Sequence, residues 1–203
     1  MNYSELQVTT NFSFLRGASH PEEMVQQAAE YGYHTLAITD RNTFAGIVRG
    51  HVAAKKLGIR IIPACRLDLV DGPSLLAFPT DMDAYARISN LLTVGNLCTE
   101  KGTCHLYKAD VYQHAKGTKF TVIPPISLNQ VFDFDSSFIE ILHEYREAFG
   151  EDLSIATSRT YSGDDSKKVY RIAQLASRLS MPMVATNDVH YHHPARRELQ
   201  DVM

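Results

Sequence analysis

Short apolar runs alternate along the chain with longer stretches in which apolar residues recur every three or four positions. "ELQVTT" (Glu5–Thr10) predicts a first strand. "SHPEEMVQQAAEYG" predicts a helix with both ends marked: Ser19 stands near the cap, Pro21 and two glutamates fall in the first turn, and Gly32 ends it. "HTLAITD" (His34–Asp40) predicts a buried strand that ends on an aspartate, and "FAGIVRGHVAAKKLG" a second helix closing at Gly58. "IRIIPACRLDLV" and "SLLAFP" supply strand material. "TDMDAYARISNLLTVGN" predicts a third helix capped by Thr80 or Asp81, and "KADVYQHAKG" a short one. "KFTVIPP" then predicts a strand, "SSFIEILHEYREAFG" a helix and "DLSIAT" a strand. "GDDSKKVYRIAQLASRLS" predicts the last long helix, and "MPMVATND" the last strand.

Roughly seven strands and as many helices alternate, which predicts a parallel α/β architecture. Pattern alone does not separate a closed barrel from an open sheet. Three of the strands end on polar groups: Thr9 and Thr10, then Asp40, then Asn187 and Asp188. Strand C-termini are where both architectures place their sites.

The 203 residues, 44% of them hydrophobic, suit one compact domain, taken as residues 1–203. A net charge of -3 gives no basic platform for nucleic acid, so DNA is expected to be reached only through other domains of a longer protein. No apolar run is long enough to span a bilayer, and "MNYSELQV" is no secretory signal, so no membrane partner is expected and the location is read as cytoplasmic. Cys65, Cys98 and Cys104 form no CxxC pair, which argues against a zinc ribbon or a disulfide framework. "PARRELQDVM" reads as a helix that starts after Pro194 and stops without a cap, as expected of a fragment of a longer chain.

The candidate chemistry gathers at the strand ends. Asp40 ends "LAITD", and Asp188 with His190 ends "VATNDVH". A D-x-H spacing on extended backbone sends both side chains to one side. Two carboxylates and an imidazole suit Zn²⁺ or Mn²⁺. The plainer alternative is a strand-end aspartate capping a turn beside a loop histidine. His192 and His193 are read as the solvated entry to the last helix, and His51 and His143 as helix-borne.

Three stretches together resemble a known family: "ELQVTTNFSFLRGASHPEEMVQQAAEYGYHTLAITDRNTFAG", "AAKKLGIRIIPACRLDL" and "PMVATNDVHYHHPARRELQDVM". They are similar to the N-terminal polymerase and histidinol phosphatase (PHP) domain of bacterial class C DNA polymerase III alpha subunits. "LQVTTNFSFLRGASHPEE" looks most like the error-prone, translesion branch. The resemblance implies a distorted (β/α)7 TIM-like barrel whose rim holds metals in active members, some of which hydrolyse phosphoesters or remove 3′ nucleotides in proofreading. It also implies that the remaining domains of a polymerase chain are the partners. The nucleotidyltransferase carboxylates would lie beyond residue 203.

Carried over residue by residue, the family's metal pattern is largely broken. Its His-x-His positions read Gln7 and Thr9, its Asp-His reads Asp40 and Arg41, and its bridging glutamate falls on Arg66. Asp188 and His190 retain its Asp-x-His. His105 is a candidate for an intermediate histidine, and "LSIATSRTY" has none. Each arginine puts a fixed positive charge where a dication would sit. Two like charges ~4 Å apart repel by about 4 kcal/mol at an effective dielectric near 20, and a dication doubles that. The expectation is a vestigial pocket of Gln7, Thr9, Asp40, Arg41, Arg66, Asp188 and His190, with the guanidinium groups pairing with Asp40 and Asp188. No catalytic residue and no cofactor are expected, and the role is structural. The alternative is an active phosphoesterase or 3′–5′ exonuclease in which Asp40, Asp188, His190 and His105 hold Zn²⁺ or Mn²⁺.

Overall fold

The computed structural model describes residues 3–203. The chain packs as two units, one of Met1–Arg66 with Asn187–Met203 and one of Leu67–Thr186.

In the first unit β1 (Glu5–Val8), β2 (Thr35–Ile38) and β3 (Arg60–Pro63) form a parallel sheet in that order. Helix α1 (Pro21–Glu30) carries the chain from β1 to β2, and α2 (Ile47–Leu57) from β2 to β3. Helix α1 starts where its sequence allows it to: Pro21 needs no N–H partner, and the Glu23 carboxylate accepts the His20 N–H at 2.8 Å. The cap position is therefore His20, and Ser19 is spent elsewhere. Met24, Val25 and Ala28 recur at helical spacing and are buried with Val8, Leu36, Ile38 and Ile61. Each aliphatic side chain of this kind contributes about 1.5–3 kcal/mol when fully buried.

The chain returns to this unit near its end. Val189 pairs with Val8 in a parallel bridge, donating its N–H to the Gln7 carbonyl (2.9 Å) while its own carbonyl accepts the Thr9 N–H (2.8 Å). Strand β1 thus has a partner along both edges. A single 3-10 turn, Pro194–Arg196, leads into the short helix Arg197–Asp201, as the sequence after Pro194 predicts.

A second sheet is ordered β4 (Cys65–Leu67), β5 (Leu75–Pro79), β6 (Thr118–Val122), β7 (Leu153–Thr157) and β8 (Met183–Ala185), and from Leu67 onward its strands belong to the second unit. The helices of that unit are Met82–Leu97, Lys108–His114, Ser136–Phe149 and Asp165–Arg178. The first of these is capped by Asp81, whose carboxylate accepts the Ala84 N–H at 2.7 Å. Leu75, Leu91, Leu142, Leu153 and Ile155 fill the core. Tyr145 is fully buried and spends its hydroxyl on the Pro73 carbonyl at 3.1 Å.

The class is mixed α/β, as the alternation predicts, with two departures in detail. Strands β5 and β6 pair antiparallel, in register from Leu75↔Val122 to Pro79↔Thr118. Two helices separate them, and a connection that long can return a strand in either direction. The apolar run "IRIIPACRL" breaks at Ala64 into β3 and β4, so the chain leaves one sheet and begins another. The described pairings therefore form two open sheets, of three and five strands, and not the single closed ring of seven that the family resemblance implies. Among the described residues no helix is long and apolar enough to cross a membrane.

Candidate functional site

The end of β2 delivers Asp40 into a tight turn that follows β1. Asp40 is 1% exposed. Its Oδ1 accepts the Thr10 N–H and the Ser13 hydroxyl, and its Oδ2 accepts the Thr10 hydroxyl, each at 2.7 Å. Ser13 Oγ in turn accepts the Arg41 N–H at 2.9 Å. The turn closes on itself, with Ser13 N–H on the Thr10 carbonyl and Arg16 N–H on the Ser13 carbonyl. Burial pushes the Asp40 carboxyl above its ordinary range, and the Ser13 and Thr10 donors only partly offset it.

Asp188 and His190 reach the same unit on the returning segment. Gln7 Nε2 donates to Asp188 Oδ1 at 2.6 Å, and His190 Nε2 lies 3.5 Å from that oxygen. His190 Nδ1 faces the Arg16 carbonyl at 3.3 Å. One ring nitrogen faces a carboxylate and the other a carbonyl, so both are placed to donate, which suits the imidazolium. The Asp188 contact raises the His190 pKa against burial and the charge of Arg41. Burial alone would raise the Asp188 carboxyl, but His190, the charge of Arg66 and the Gln7 amide hold it below its ordinary range. Asp188 sits at φ 48°, left-handed backbone that aspartate tolerates at modest cost. Arg41 and Arg66 are neighbours across a parallel bridge, with Arg66 N–H on the Asp40 carbonyl (3.0 Å) and Asn42 N–H on the Arg66 carbonyl (2.7 Å). Both are half-buried.

The Asp188–His190 pair sets a pH window. The raised His190 pKa adds stability that is complete below the ordinary histidine value of 6.5 and is lost as pH rises through the folded value. The lowered Asp188 pKa adds stability that is complete above the ordinary 3.8 and is lost as pH falls through the folded value. The contribution of this pair should therefore be flat between those limits, and His190→Gln should flatten the decline in urea midpoint on the alkaline side. An unchanged alkaline limb in that variant would refute the assignment.

Gln7, Thr9, Asp40, Arg41, Arg66, Asp188 and His190 all belong to this one unit. Thr9 is buried and contributes its backbone N–H, not its hydroxyl, to the join with Val189. His105 belongs to the other unit, where it is exposed and its N–H bonds the Gly95 carbonyl. His192 is not simply solvated: its Nδ1 is 2.8 Å from the Ser19 hydroxyl. His193 accepts the Ala195 N–H at 3.2 Å and starts the last turn. The sequence reading missed Ser13 as a partner of Asp40 and placed Thr10 only as a strand-end polar group. The run of hydroxyls in "TTNFS" is the signal that could have found them. Among the described residues no group of three or more His, Cys, Asp or Glu side chains is gathered so as to hold a metal ion.

The PHP domain model matches residues 5–160. An error-prone DNA polymerase of Caulobacter vibrioides is 46% identical over 202 residues, which is 99% of this chain and 18% of that protein. Error-prone DNA polymerase 2 of Agrobacterium fabrum is 39% identical over 203 residues, 100% of this chain and again 18% of the relative. The chain thus spans about a fifth of the length of the curated relatives it matches. Among solved structures, a Bifidobacterium adolescentis protein provisionally assigned as a metal-dependent phosphoesterase superposes with a TM-score of 0.69 at 16% identity, covering 93% of this chain and 88% of that one. An amidohydrolase from Chromobacterium violaceum, with bound sulfate and no metal, gives 0.69 at 15% identity, with 93% and 87% covered. At that identity the two structures speak for the fold alone.

Proposed function

The chain belongs to the PHP domain family, and we propose that it serves as a scaffold domain of an error-prone DNA polymerase chain, in which protein contacts have replaced a metal centre. The observation that carries this reading is the state of Asp40. A carboxylate that ligates a metal must offer the ion a lone pair in place of water. Both oxygens of Asp40 already accept hydrogen bonds, three in all from Thr10 and Ser13, in a site 1% exposed. Asp188 is shared by Gln7 and His190 and feels the charge of Arg66. The donor set left over does not fit a Zn²⁺ or Mn²⁺ cluster, and no chemical step is routed through one.

What remains is a structural role. The curated relatives are several times longer than this chain, which supports the reading that further polymerase domains are its partners and that DNA is met through them. The family match runs through residues of both units, which supports treating residues 1–203 as one domain. We read the protein as cytoplasmic.

Elemental analysis tests the proposal. After incubation with Zn²⁺ or Mn²⁺ and exhaustive dialysis, the purified chain should hold well under one metal per molecule. One or more ions per chain, lost in His190→Ala, would overturn it and revive the phosphoesterase reading.

A further inference from the structure

A second cavity in the first unit has no part in the Asp40 pocket. It measures about 250 Å³ and is walled by Glu5, Met24, Tyr31, Tyr33, Leu36 and Tyr191. That is small beside the roughly 300–1,000 Å³ of most small-molecule sites. Its chemistry is uneven. The aliphatic and aromatic walls are apolar, yet Glu5, on the first strand, is a carboxylate 2% exposed. Its hydrogen bonds come from the Tyr3 hydroxyl (2.7 Å), the Gln7 N–H (2.9 Å) and the Asn187 N–H (3.2 Å). Every one of these donors is neutral, and no cation is among the partners found for Glu5 in the described residues. Burial pushes its carboxyl above the ordinary range. A buried anion without a counter-charge is costly, and a cation delivered from outside would relieve that cost.

The tyrosines suit the same ligand. Tyr31 and Tyr33 lie with ring centroids 6.1 Å apart at 53°, and Tyr3 meets Tyr33 edge-on at 5.4 Å. Tilted aromatic rings around an apolar space offer their negative faces to a cation. The two imidazoles at the same cavity are committed, His192 to Ser19 and His193 to the Ala195 N–H.

We propose that this cavity binds an organic monocation, a guanidinium or ammonium on a short apolar stem, between the tyrosine rings and Glu5. The site stands whether or not the Asp40 pocket holds a metal. The cation could come from an arginine or lysine side chain presented by a polypeptide, or from a free small amine.

Calorimetric titration of the chain with n-butylguanidinium, and with its neutral isostere n-butylurea, tests the proposal. The guanidinium should bind at least tenfold more tightly than the urea, and Glu5→Gln should abolish the difference. Tyr31→Ala, at a ring 62% exposed whose loss leaves the core intact, should weaken guanidinium binding several-fold. This second variant keeps the test decisive if Glu5→Gln does not fold. A titration with Nα-acetylarginine methylamide separates the sources: equal affinity points to a side chain on a polypeptide, and rejection to a free cation. Absence of guanidinium binding, equal affinity for the urea, a preference retained in Glu5→Gln, or unchanged binding in Tyr31→Ala would each overturn the assignment. Metal content plays no part in these readouts, so a failure here is separate from a failure of the scaffold reading.

Discussion

Asp40→Ala is expected to destabilise the chain by about 3 kcal/mol at pH 7, because the Asp40 carboxylate is the shared acceptor of a buried turn. Removing it leaves the Thr10 N–H with no acceptor in a place water does not reach. The two hydroxyls can rotate toward other acceptors, so the Thr10 amide dominates the loss. A stranded buried donor costs about 1–3 kcal/mol, and bonds to a charged acceptor are worth about 1.5–3 kcal/mol each. Against this stands the relief of no longer burying a charge. Asp40→Asn keeps an oxygen in place and should cost less, about 1–2 kcal/mol. The two variants also differ in pH response from the parent. The raised Asp40 pKa adds stability that is complete below the ordinary carboxyl value of 3.8 and is lost as pH rises through the folded value. Asp40→Asn should remove that limb. Urea unfolding across pH reads both effects, and a loss below about 1 kcal/mol for Asp40→Ala would show that the turn does not depend on the carboxylate.

Gly17→Ala should be of similar size, about 3 kcal/mol, for a reason of space alone. A Cβ on Gly17 would fall 2.2 Å from the Thr10 carbonyl oxygen and 2.8 Å from that of Thr9. Both obstacles are backbone, so no rotamer change relieves them. The turn would have to open and would carry the Thr10 and Ser13 donors away from Asp40. For a chain of this size the melting temperature should fall by roughly 6–12 °C, at about 2–4 °C per kcal/mol. Gly163→Ala, where an added Cβ meets nothing within 4 Å, should lose only the strain of a left-handed alanine, about 1 kcal/mol. Because both changes break one turn, the double variant Asp40→Ala with Gly17→Ala should lose less than the sum of the two. Full additivity would mean that Gly17 acts on something other than the Asp40 contacts.

Much of the fold was legible because local chemistry and tertiary role agree. Pro21 with its glutamates starts α1, Asp81 caps the helix Met82–Leu97, and Leu36, Ala37 and Ile38 are buried in β2. The direction of β5 against β6 was not legible. "LLAFP" and "TKFTV" are apolar runs that pair equally well either way, and register is settled by packing far along the chain. In the site, Asp40, Asp188 and His190 were legible as polar groups at strand ends. The partners of Asp40 were less so. The expectation named arginine for this carboxylate, and the structure brings hydroxyls to it through a turn whose shape depends on Gly17 and on Leu15 at φ 58°. Glu5 was illegible for another reason. A glutamate at the start of a strand normally faces water, and here the return of Asn187, far along the chain, brings a backbone N–H to its carboxylate.

That return has a bearing on how the protein is made. The first unit takes its sequence from residues 1–66 and 187–203, with all of Leu67–Thr186 between them. Strand β1 obtains its second neighbour, and Gln7 its partner Asp188, only when a segment 181 residues downstream has been synthesised. At about 5–20 residues per second, a ribosome needs on the order of ten seconds to supply the intervening stretch. For that interval the nascent sheet presents an unpaired edge, the kind of surface on which chains aggregate and chaperones act. The contacts that close the unit are of high sequence separation and are expected to form late, so slow folding should be a property of this domain even though each of its helices is local.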